Sequence, residues 1–268
     1  MDDLAALRLL VEWGADEALA DAPVDRFAPP RLASAAAANP GPAQPAQRPV
    51  AATGRPSIRG PSLRGPAAAS QAGALAAAAA TLDALHAALD GFEGCPLRAT
   101  ATNTVRPSGN PAAGLVLVAD APGAEDDRTG AAFSGLPGQM LDRVLGSIGL
   151  DRSAVLLTYL VPWRPPGSRA PNEAEVQACL PFMYRLLALT RPRRILLVGA
   201  GPTKALAGAT EGVRRLRGRW LPVPIEGEES PAQALALPPQ EHWMRSAAGK
   251  RSLWADLLEL RQSIDEAS

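Results

Sequence analysis

The apolar run Gly114-Leu-Val-Leu-Val118, followed at once by Ala119-Asp120-Ala121-Pro122-Gly123, constrains this chain more than any other stretch. It is short, rich in β-branched residues and does not alternate with polar ones, the pattern of a strand buried on both faces of a parallel sheet. A Pro-Gly pair ends it, Glu125-Asp126-Asp127 and Gly130 follow, and a helix is predicted to start near Pro137. In open α/β sheets ligands bind at the carboxyl ends of strands, so the loop Ala119–Gly135 is where chemistry would sit. Taken alone, the same loop also reads as an ordinary solvated strand-to-helix turn.

Other apolar runs repeat the theme. Ala154–Thr158 and Ile195–Val198 predict further strands, and residues 221–225 and 232–237 the last ones. Helices are predicted over 73–90, near 137–148, from Asn172 to Thr190 and over 250–265. Asn172 supplies a capping side chain, and Glu173 and Glu175 suit a helix's first turn. This alternation predicts an α/β domain over 73–268, a three-layer α/β/α sandwich around a central, mostly parallel four-stranded sheet.

Upstream the character changes. Residues 1–27 predict a short helical segment, with Leu4, Leu7 and Val11 at helical spacing. Residues 28–72 are dominated by Ala, Pro, Gly, Ser and Arg, a composition that buries no core and predicts a disordered linker. Within it, Pro56-Ser-Ile-Arg-Gly60 is repeated as Pro61-Ser-Leu-Arg-Gly65. That repeat reads either as compositional drift or as a cationic arm that binds phosphates, and the N-terminal helix with this arm could recruit a protein partner.

Composition narrows the classes. The 27 basic residues balance 27 acidic ones, so any nucleic-acid contact needs a local patch rather than global charge. Two cysteines, Cys95 and Cys179, make neither a disulfide framework nor a metal site, and suit reduced cytosolic thiols. No apolar run approaches the roughly 18 residues of a membrane helix. Met1-Asp2-Asp3 is acidic where a signal peptide is basic. The expectation is a cytoplasmic, nucleoid-associated monomer with no membrane partner.

Residues 88–260 carry a series of motifs in one order. They are Cys95-Pro-Leu97, Thr100-Ala-Thr-Asn-Thr-Val105, Ala121-Pro-Gly123, Phe133, Gly138-Gln-Met-Leu-Asp142, Arg164-Pro-Pro-Gly167 and Cys179-Leu-Pro-Phe182. The series resembles the uracil-DNA glycosylases of the iron–sulphur type, the family-four branch of that superfamily. The resemblance implies hydrolysis of the N-glycosidic bond of uracil, or another deaminated base, in DNA during base excision repair. The base is flipped from the stack and read by stacking and by hydrogen bonds to its edge. A carboxylate near the water and a donor near the leaving oxygen assist.

By this resemblance Asp120 is the catalytic carboxylate, one methylene shorter than the family's Glu. Ala119, Pro122, Gly123, Phe133 and Tyr159 would line the substrate pocket, with Phe133 stacking on the base and Tyr159 at the family's base-reading Asn. The family's His falls on Pro239, with His242 close by. Trp243 or Met244 stands at the wedge that enters the duplex, with Arg245, Lys250 and Arg251 on the phosphates. Arg214, Arg215, Arg217 and Arg219 add charge to the same third, as a phosphate-facing edge or a solvated face. The four cluster thiolates of the family appear here as Phe92, Cys95, Trp163 and Cys179. Two thiols do not hold a four-iron centre, so no iron–sulphur cluster, metal or other cofactor is expected. The alternative function is a degenerate glycosylase scaffold acting as a DNA-binding or partner-binding module, with the Tyr159 ring lying in the pocket.

Overall fold

The computed structural model describes residues 65–266. The expected N-terminal helical segment, most of the linker and the tandem pentapeptides up to Arg64 lie outside the described residues. Where 73–90 predicts one helix there are two, α1 (Gly65–Ala78) and α2 (Leu82–Gly91). The Ala-rich helix therefore begins eight residues before the expected domain boundary, inside the predicted linker. Pro66 does not prevent this, because a first-turn proline lacks only an N–H that a helix leaves unpaired. Thr81 separates the two helices, its hydroxyl accepting from the Ala84 N–H at 3.2 Å as the cap of α2.

Six strands form one sheet: β1 (Ser108–Gly109), β2 (Leu115–Ala119), β3 (Leu156–Tyr159), β4 (Arg194–Val198), β5 (Trp220–Val223) and β6 (Ala232–Leu237). Their order is β1-β3-β2-β4-β6-β5. The four central strands are parallel, as the buried apolar runs predict, whereas β1 and β5 pair antiparallel at the two edges. The sheet is thus wider than the expected four strands. Two-residue β1 is too short to read from sequence, and β5 carries Pro222, which an edge strand tolerates.

Strand alternation builds two cores. Val116, Val118, Ile195 and Leu197 face α1, α2 and α5 (Glu173–Thr190). Leu117, Leu196 and Leu235 face α4 (Gly135–Ser147), α8 (Gln240–Arg245) and α9 (Ala247–Glu266). Helix α5 starts where Asn172 predicts it, with Asn172 and Glu175 satisfying each other's backbone N–H groups at 2.9 and 2.8 Å. Arg185 on α5 donates to the Ala79 carbonyl at 2.8 Å and ties the α1–α2 corner to this layer. No helix among the described residues is long and apolar enough to cross a membrane.

Candidate active site

Ala119 stands opposite Tyr159 in the β2–β3 register, so the loop after β2 and the end of β3 meet at the sheet's carboxyl edge. The loop runs through buried Pro122 into α3 (Ala124–Thr129), which two buried carboxylates hold in place. Asp126 accepts from the Gly123 and Ser134 N–H groups at 2.8 and 2.6 Å. Asp127 accepts from the Thr102 N–H at 2.8 Å, the Thr102 hydroxyl at 3.0 Å and the Asn103 N–H at 3.2 Å. The Thr100–Val105 motif is therefore a clamp on α3.

Phe133 follows with φ 55°, a left-handed backbone that costs a bulky residue on the order of 1–3 kcal/mol. Its surroundings enforce this. Arg152 donates to the Phe133 carbonyl at 2.8 Å while its Nε holds Asp142 at 2.7 Å. Gly138 lets that carbonyl approach so closely that a Cβ there would lie 1.7 Å from it.

Tyr159 covers the Phe133 ring. The two rings lie 5.0 Å apart at 6°, and the phenol donates to Asp126 Oδ2 at 2.8 Å. Phe133 is 0% exposed and Tyr159 4%, so the face of the Phe133 ring is occupied by the chain's own phenol. Burial, and then the Asp126 carboxylate, push the phenol well above its ordinary pKa and keep it a donor.

Asp120 lies where α6 (Ala200–Ala207) begins, its carboxylate against Gly199 and Gly201. The Asp120 carboxylate accepts from the Gly201 N–H. Only glycine fits around it: a Cβ at Gly199 or Gly201 would come 2.7 or 1.8 Å from its oxygens. Burial, then the charge of Glu241, raise its pKa to about 6 against the Gly201 bond. A carboxylate in that range serves as a general base near neutral pH.

Pro239 caps α8 at the position of the family's His, and His242 is exposed on that helix. Trp243, one of the two residues expected at the wedge, is 1% exposed and packed into the α4–α9 core with an unpartnered Nε1. The short helix α8 turns it inward, because only that face buries the indole. Met244 is half-buried against the same core. Arg245, Lys250 and Arg251 are exposed and have no acidic partner among the described residues. Arg217, by contrast, is paired with buried Asp256 at 2.8 Å, and Arg219 with Glu211 at 3.8 Å.

Sequence reasoning missed Asp126 and Arg152, the two residues that assemble the Phe133–Tyr159 stack. Their signal was faint: an acidic triplet in a loop reads as solvated, and Arg152 stands alone.

A mostly parallel sheet whose carboxyl edge carries a strained aromatic and a buried carboxylate defines an α/β protein with a candidate site at that edge. A family model described as the uracil DNA glycosylase superfamily matches residues 106–258, more than half of the chain, and the chain belongs to that superfamily. Similar proteins include the type-4 uracil-DNA glycosylase of Pyrobaculum aerophilum, 38% identical over 125 residues, which are 47% of this chain and 64% of that protein. That of Saccharolobus solfataricus is 34% identical over 157 residues, 54% and 73% of the two chains. That of Thermotoga maritima is 33% identical over 131 residues, 47% and 68%. The chain thus spans a little under two thirds of the Pyrobaculum protein.

These relatives overturn one expectation. All are type-4 enzymes, the branch that the motif resemblance names as the iron–sulphur type, so family membership points to a cluster where none was expected. The chain's own residues supply part of a ligand set. Cys95 and Cys179 are buried together and hydrogen-bonded, which lowers the Cys95 pKa, while burial raises that of Cys179. Phe92 and Trp163, at the other two ligand positions, are buried and packed ring to ring at 6.4 Å. Phe92 also packs edge-on against Phe182 at 5.1 Å. Two thiols and two aromatic rings do not make a four-thiolate donor set.

Proposed function

We propose that this chain binds DNA and hydrolyses the N-glycosidic bond of uracil, or of another deaminated base, in base excision repair. The observation that carries this reading is Phe133 at the motif position of a base-stacking aromatic, held in a strained backbone by Asp126, Arg152 and Gly138. Strain of this kind persists only where the surroundings over-determine it, and it clusters at ligand clamps. For turnover, the Tyr159 ring leaves Phe133 and the extrahelical base takes its place. The C1′–N bond breaks and the base departs with the electron pair. Water bonds to C1′ and gives its proton to the Asp120 carboxylate. Arg245, Lys250 and Arg251 hold the phosphates by displacing counterions.

The test is base release by the full chain from uracil-containing single- and double-stranded DNA. Release above background, lost in Asp120→Asn, supports the reading. No release from the native chain, together with none from Tyr159→Asn, would sink it.

A second reading is favoured by the Tyr159–Phe133 stack and the Tyr159–Asp126 bond: a closed scaffold that binds DNA without excising bases. It predicts salt-sensitive DNA affinity, no base release, and no gain on opening the pocket with Tyr159→Asn. In either case we propose a cytoplasmic monomer at the nucleoid whose N-terminal arm recruits a repair or replication protein. Deleting residues 1–64 without change in partner or DNA binding would remove that role.

A further inference from the structure

A second cleft, of about 700 Å³, opens at the carboxyl edge of the sheet. The turns after β4 and β6 form one wall, and α7 (Val213–Leu216) and α9 the other. Clefts of roughly 300–1,000 Å³ are the size that takes small organic ligands, so this one has room for a nucleotide rather than a lone ion. Buried Val213 and Pro238 give it an apolar floor, while exposed Arg214 and His242 and half-buried Ser252 give it a polar rim.

The residue that ends α7 is tied to α9. Arg217 donates to the Ser252 carbonyl at 2.6 Å as well as to Asp256, so its charge is spent inside the protein. Arg214, one turn earlier on α7, has no acidic partner among the described residues and is left to face the cleft. Ala200 belongs to the opposite wall, next to Gly201, whose N–H already serves Asp120. The cleft therefore adjoins the Asp120 carboxylate, while the Phe133 face is covered by Tyr159. It combines an apolar surface for a base and sugar with a guanidinium and an imidazole side chain for a phosphate.

We propose that this cleft binds a phosphorylated nucleoside, its base and sugar against Val213 and Pro238 and its phosphate on Arg214 and His242. The nucleotide is either part of a DNA strand or free in solution. For the strand-borne source the inference rests on the DNA-binding part of the proposed function; for the free one it stands alone.

The experiment titrates the full chain with dUMP and AMP by calorimetry, and with a fluorescein-labelled single-stranded oligonucleotide by anisotropy. Arg214→Ala removes the phosphate partner, Ala248→Phe fills the cleft from an exposed lining position, and Arg215→Ala is the control on the same helix. Losing a charged hydrogen-bond partner should weaken binding roughly tenfold in Arg214→Ala. Ala248→Phe should match it, and Arg215→Ala should leave affinity within about twofold, as for an exposed charge without a fixed partner. Thermal melts confirm that the variants fold.

If free nucleotides show this pattern, the cleft is a free-nucleotide site; if only the oligonucleotide does, it takes a strand-borne nucleotide. Ala248→Phe binding like the native chain in both arms overturns the proposal. So does equal weakening by Arg214→Ala and Arg215→Ala, the signature of a diffuse basic face. Oligonucleotide binding untouched by the cleft variants would sink this inference and leave the proposed function standing. Nucleotide binding without DNA binding would do the reverse.

Discussion

The Tyr159 ring lies parallel to the Phe133 ring, with 5.0 Å between centroids and 6° between planes. The Tyr159 hydroxyl is anchored by Asp126, the same carboxylate that holds Ser134, the neighbour of Phe133. One side chain thus fixes both partners of the stack, and the face of Phe133 is covered by a phenol of the same chain.

Opening that stack is the most direct perturbation. Tyr159→Asn restores the family's residue and vacates the volume of a base, so uracil release should rise above that of the native chain. Tyr159→Phe should leave the pocket closed, with release unchanged. It also leaves Asp126 short of one buried donor, at a stability cost of about 1–3 kcal/mol. Base-release assays paired with chemical denaturation separate the two effects.

Asp120 should make stability and activity depend on pH in opposite directions. Its pKa rises from an ordinary 3.8 to about 6 on folding, so the folded state holds the proton more tightly. Its contribution to stability is complete below about pH 4 and is lost as pH climbs through 6. Asp120→Asn should therefore gain on the native chain between pH 4 and 7, by at most ~3 kcal/mol. Base release by the native chain should instead rise through about pH 6, as the carboxylate forms. Denaturation curves and pH–rate profiles of the two proteins test both signs.

Trp243 should behave as a core residue. Trp243→Ala should cost about 3–5 kcal/mol through the cavity it leaves. Trp243→Phe should cost less, because it also removes an indole N–H that has no partner. DNA affinity, measured well below the melting temperature, should stay at the native value in both. A selective loss of DNA binding would return Trp243 to the role of a wedge.

The arginines of the C-terminal third should divide by partner. Arg217→Ala strands Asp256, whose side chain is only 4% exposed, and should destabilise by about 3–5 kcal/mol at neutral pH. The cost should shrink in acid. Burial already raises the Asp256 pKa against the pull of Arg217, and a protonated carboxyl needs no partner. Arg245→Ala should leave stability unchanged and weaken DNA binding in a salt-dependent way.

Much of the fold was legible because its causes are local. An unbroken apolar run defines β2, Asn172 and Glu175 mark the start of α5 within one residue, and a sequence of motifs points to the superfamily. The candidate site was legible in part. Phe133 and Tyr159, both singled out by the motifs, meet in one stack, but Asp126 was not visible as their organiser. Its bonds reach Ser134 and Tyr159, 8 and 33 residues away, and no local pattern encodes a contact between separate strands. The burial of Trp243 was not legible for a related reason: which face of a six-residue helix is buried depends on what it packs against.

By itself the sequence determined the alternation of strands and helices, the superfamily, the two remaining cysteines and an aromatic in the loop after β2. These follow from periodicity, capping and residue identity, which act over a few positions. The tertiary structure alone decided that Tyr159 covers Phe133, that Asp120 turns to α6, that Trp243 is core and that Arg217 is spent on Asp256. Each outcome depends on which distant groups share a low-dielectric interior, where an unpaired polar atom is costly and a paired one is held fast.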